Sequence, residues 1–195
     1  MPIISYFLEL LASWGSLFAA PFTNPRMLWI ILPIYFIWIF TEFYQEKKGT
    51  SLGNAVSNGV VVLWIGIDWV RQIVDQVTGK TLSVGTDFFT KVFIAFLIFV
   101  YGALIMVNGI RGKALTRFIG RIREVTYAIL MLTPIFYGAI GFSFKIVFSM
   151  ILFFPLFYGL VELVDRYAPT PQTYEAEEKF EKEVEEKKED KELEI

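Results

Sequence analysis

The chain has 195 residues, 55% of them hydrophobic, with a mean hydropathy of +0.52 and a formal net charge of −2. A water-soluble domain of this length needs far more polar surface to cover itself. Cysteine and histidine are both absent, which excludes disulfide frameworks, thiolate chemistry, Cys/His metal sites and histidine acid–base catalysis.

Charge is also segregated along the chain. Residues 175–195 carry a net −6 and the 174 residues before them +4, so a basic membrane body is joined to an acidic tail.

A bilayer core about 30 Å thick is crossed by roughly 20 mostly apolar helical residues. The first apolar stretch, 3–20, has that length but holds Glu9, Ser13 and Ser16 in its interior. It reads as a span or as a helix lying in the interface. It does not read as a cleaved leader, because it lacks a basic start and Glu9 interrupts the apolar run. Ala12, Ser16 and Ala20 form a small-residue row suited to close helix approach.

Further spans are expected at 27–44, 54–77, 88–108, 125–141 and 144–167. Pro33, Pro134 and Pro155 fall inside three of them, where each removes one backbone bond. The fold class is therefore an all-α polytopic membrane bundle of five to six transmembrane helices in residues 1–168. Residues 169–195 form a Lys/Glu-rich tail, helical through pairs such as Glu175–Lys179 or disordered.

The connection between the third and fourth firm spans carries Arg111, Lys113, Arg117, Arg121 and Arg123 and no acid. Basic loops stay in the cytoplasm, so this loop, Lys47, Lys48 and the C-terminus are placed inside, in a cell membrane. Within it, Leu115, Phe118, Ile119 and Ile122 recur at helical spacing, and Lys113, Arg117 and Arg121 form an i, i+4, i+8 row. The expectation is an amphipathic helix on the inner leaflet. Lys113, Arg117, Arg121 and Arg123 would then contact anionic lipids, or the loop would serve only to fix topology. Nucleic acid is not expected, since stacking aromatics do not interleave with the basic row.

The most informative span is 54–77. On a wheel of 100° per residue, Asn54, Asn58, Asp68 and Gln72 share one face. Such a stripe must face protein or water, not lipid. Asp68 lies about 7–8 Å from the midplane by helical rise, where an unpaired carboxylate costs on the order of 2.5–3.5 kcal/mol. Two readings follow. In one, Asp68 pairs with Arg71, Lys91 or Lys145 and the asparagines bond across helices. In the other, the stripe lines a pathway with polar ends and an apolar constriction. Ala55 and Gly59 add a small-residue row here. Glu42, Asn108, Glu124, Glu162 and Asp165 lie near cytoplasmic ends, within reach of water.

The catalytic motifs HExxH, GxSxG, GxxxxGK[ST] and GxGxxG are all absent. The leading reading is a non-catalytic membrane subunit or scaffold, without a cofactor or metal, whose partner is another membrane protein or a second copy. The alternatives are a permeation protein for a small solute or ion, using the polar face of 54–77, and a lipid-modifying enzyme.

Overall fold

The structure is a computed structural model, and it describes residues 2–46 and 49–169. All regular elements among these residues are helical: α1 Pro2–Thr23, a 3-10 turn Pro25–Met27, α2 Leu28–Tyr44, α3 Leu52–Thr78, α4 Thr86–Ile110, α5 Thr116–Ile119, α6 Ile122–Phe136 and α7 Phe144–Tyr167. Four segments are long and apolar enough to cross a membrane: Ile3–Thr23, Pro25–Tyr44, Thr86–Ile110 and Phe144–Tyr167. The protein is a helical bundle of membrane character. The expected tail helix and the Lys47/Lys48 pair lie outside the described residues.

The other two long helices have a different role. α3 is too polar to stand alone in lipid, and α6, at 15 residues, is only about 22 Å long by helical rise. Twelve of the α6 residues are buried, and the helix touches α1, α2, α3 and α7. It is the axis of the bundle. The expected span 125–141 starts three residues earlier, at Ile122, and ends five earlier, at Phe136. The stop is a Schellman cap: Gly138, at φ +69°, donates to the Ile135 carbonyl while Ala139 donates to that of Pro134. Glycine takes this left-handed backbone without a Cβ penalty.

α3 turns its polar stripe inward. Asn58 and Asp68 are buried with Ala55, Val62, Ile65 and Trp69, while Val60, Trp64, Ile67 and Val74 are exposed. An apolar outer face and a polar inner one suit a lipid surround. α3 packs most extensively on α4, and glycines set that distance. A Cβ on Gly102 would meet Leu63 Cγ at 2.9 Å and the Gly59 carbonyl oxygen at 3.1 Å. The Ala55/Gly59 row thus serves packing within the bundle. On α1, Ala12 and Ser16 are exposed and only Ala20 is buried.

α1 packs on α7: Phe7 and Trp14 both meet Phe153, Phe18 meets Phe157, and Glu9 pairs with Lys145. The Trp14 indole also donates to the Tyr127 hydroxyl at 3.0 Å, and Tyr127 donates to the Met150 carbonyl at 2.6 Å. This chain ties α1, α6 and α7 together.

Candidate functional site

Two polar centres sit at opposite ends of α3 and α6, which run in the same direction. Between them the packing is solid: Val62, Ile65, Trp69 and Phe136 are at most 1% exposed. The Trp69 and Phe136 rings stack at 4.1 Å, and the Trp69 indole donates to the Thr133 hydroxyl at 3.2 Å.

At the α3 C-terminal end, Asp68 accepts from Arg71 through Oδ1 at 2.7 Å and from the Tyr137 hydroxyl through Oδ2 at 2.8 Å. Of the three cations considered for Asp68, Arg71 is its partner. Lys91 instead donates to the Gln76 side-chain oxygen at 3.0 Å and lies 3.5 Å from Asp87. Lys145 pairs with Glu9 at 2.9 Å. Gln76, which lies outside the expected stripe, also donates to the Phe136 carbonyl, so it bridges α4 and α6. Above Asp68 lies a polar cup of about 430 Å³, lined by Gln72, Asp75, Gln76 and Tyr137 with Asn24, Arg26 and Thr81. Gln72 therefore faces this cup, apart from the bonds that hold Asp68.

At the other end, Asn58 is consumed inside the protein. Its amide donates to Glu46 Oε1 at 3.0 Å and to the Gly120 carbonyl at 2.8 Å. Glu46 is itself fully buried. Its Oε2 accepts from the Thr50 hydroxyl at 2.7 Å and from the Ile122 backbone N–H at 3.2 Å. One carboxylate thus joins the α2–α3 connection, α3 and the first turn of α6, where negative charge is favoured by the helix dipole. Burial pushes the Glu46 carboxyl above its ordinary range, against the opposing effect of these three hydrogen bonds. Asn54 stands apart from this centre: its backbone N–H is capped by the Ser51 hydroxyl, and its side chain is half-buried.

Beside Glu46 is a second charged group. Arg123 donates to Glu42 through Nε at 2.9 Å and again through Nη2, and to Glu162 through Nη1 at 2.8 Å. Its guanidinium also lies 4.5 Å from the centre of the Tyr158 ring. Arg123 is fully buried and Glu42 is 1% exposed. This corrects two expectations: Arg123 does not face lipid headgroups, and Glu42 does not reach water. Glu162 does, being more than half exposed.

The physical reason is the break at Gly120. The expected amphipathic helix is reduced to the single turn Thr116–Ile119. A Cβ on Gly120 would meet Ala55, Ile105 and the Thr116 carbonyl, each at 2.9 Å, so the chain is pinned there. Arg121 then takes an extended N-cap conformation, which swings Arg123 inward. Lys113 and Arg117 remain exposed. Arg121 is half-buried and donates to the Tyr158 hydroxyl at 3.0 Å, with Glu42 at 3.9 Å. Among the described residues there is no group of three or more acids, cysteines or histidines placed to hold a metal ion. Comparison with family models, with curated proteins and with solved structures returns no match to this chain.

Proposed function

We propose that this protein is a non-catalytic membrane subunit or scaffold, with α1, α2, α3, α4, α6 and α7 all lying within the bilayer region and α6 sheathed by its neighbours. One observation carries the reading. The two deepest polar groups of the stripe, Asn58 and Asp68, spend their hydrogen-bonding capacity on Glu46, Gly120, Arg71 and Tyr137. Polar groups committed in this way hold helices together.

The surface offered to a partner helix is the apolar groove of about 730 Å³ between α2 and α3, lined by Trp29, Pro33, Val60 and Trp64 among others. The partner is another membrane protein or a second copy of this chain.

A second reading, permeation of a small polar solute, is favoured by the cup over Asp68 alone. Reconstitution separates the two. The full chain in proteoliposomes should pass neither ions nor small solutes, and a photo-crosslinker placed at Val60 should capture a discrete membrane partner in native membranes. Solute flux from the lone protein, abolished by Asp68→Asn in a folded variant, would replace the scaffold with a permeation protein.

A further inference from the structure

We infer that the cleft between the α2–α3 connection, the 111–121 segment and α7 is a binding site for one phosphate group, carried by an anionic membrane lipid. The cleft measures about 740 Å³ and is lined by Thr50, Ser51, Arg117, Phe118, Arg121, Glu124 and Tyr158 beside Gly49.

Its polar wall presents mostly donors. The Ser51 oxygen accepts from the Asn54 N–H, so its own proton points elsewhere. The Tyr158 oxygen accepts from Arg121, which likewise leaves its proton to give. Arg121 Nε is buried and has no partner. Arg117 is exposed and makes no ion pair among the described residues. Glu124 is the acid on this wall, its Oε2 buried and without a hydrogen-bond partner, and Arg121 lies 3.9 Å from Glu42. Among the described residues of the wall, Arg117 is the cation without an ion-pair partner. Hydroxyl and guanidinium donors converging on one cavity suit a phosphate oxygen set, and arginine suits it best because its planar fork can bond two oxygens at once.

The lipid origin rests on Phe118. This ring is 75% exposed on the rim of the cleft, next to a cation that would sit at headgroup level. A soluble phosphate has no use for an apolar rim, whereas a lipid brings its glycerol and chains to that height. The site differs from a diffuse basic surface in that residues from three separate parts of the chain build it, and Lys113 lies outside its wall.

The test uses the full chain purified in neutral detergent and titrated with dioctanoyl phosphatidylglycerol, dioctanoyl phosphatidylcholine or inorganic phosphate. Native mass spectrometry counts adducts, and thermal unfolding follows saturation. One phosphatidylglycerol should bind saturably, and neither phosphatidylcholine nor millimolar phosphate should reproduce it. Arg117→Gln should weaken binding roughly tenfold, the scale of one charge-assisted hydrogen bond, with unfolding of the lipid-free protein unchanged. Tyr158→Phe, which keeps the ring under Arg123, should weaken it less. Lys113→Gln should leave it unchanged. Equal loss in Lys113→Gln and Arg117→Gln would overturn the site in favour of diffuse attraction. Equal binding of phosphatidylcholine would overturn the charge recognition, and full reproduction by inorganic phosphate would overturn the lipid origin.

Discussion

Arg123 and Glu42 face one another with neither side chain open to solvent, and one oxygen of Glu42 takes two of the arginine's donors. Glu162 reaches the same guanidinium from α7. Removing one member of such a group leaves an uncompensated buried charge, which typically costs 3–5 kcal/mol. Glu42→Leu and Arg123→Met should each lower stability on that scale, while the two combined should lose much less. Equilibrium unfolding of the four proteins in detergent, arranged as a double-mutant cycle, checks this; additive losses would contradict it.

Glu46 should make the protein more stable in acid. Its folded-state carboxyl is raised above the ordinary range by burial. The native state therefore holds a proton that the unfolded chain has released, and stability falls as pH rises from the ordinary carboxylate range through the raised value. Glu46→Gln should flatten that part of the profile. Thermal unfolding across the acid range, on both proteins, gives the comparison.

The α3–α4 crossing depends on having no side chain at Gly59 or Gly102. A Cβ at Gly59 would sit 3.0 Å from Ile105 and Met106 and 3.2 Å from the Gly102 carbonyl oxygen. Gly59→Val forces the helices apart and should cost about 1–3 kcal/mol, as overpacking generally does. Gly15→Val on α1, where open space surrounds the position, is the control and should be near neutral by the same unfolding assay.

Lys80 caps α3 in the left-handed region at φ +57°, donating to the Val77 carbonyl. This is the position where glycine is preferred. Lys80→Gly should stabilise the protein by up to about 1 kcal/mol, the steric cost being relieved and partly offset by the greater freedom of the unfolded chain. A rise in the unfolding midpoint is the expected reading.

Much of this architecture was legible because apolar periodicity and span length are local properties. α7 begins and ends where the apolar run 144–167 does, and α4 extends the expected 88–108 by two residues at each end. The inward face of α3 follows from the spacing of Asn58 and Asp68 alone. What escaped was long-range. Glu46 bonds partners 12 and 76 residues away, and nothing in its own neighbourhood announces them. The basic row misled for a related reason. Its i, i+4, i+8 spacing assumes one continuous helix, but Gly120 is locked against Ala55 and Ile105 from two other helices. Tertiary contact ended the helix and sent Arg123 inward.

The short α6 has a consequence for biogenesis. A helix of fifteen residues that opens on Arg123 cannot rest in lipid by itself, and the ribosome delivers it before α7. Until α7 arrives, one of the two carboxylates on that arginine is still missing and the α6 flank that Phe154 and Phe157 will cover lies open. In the bundle proposed above, α6 would have to stay shielded against α2 and α3 until α7 packs on it. Because α7 supplies that carboxylate and covers that flank, a nascent chain stopped before residue 144 should be recognised as unfinished and cleared.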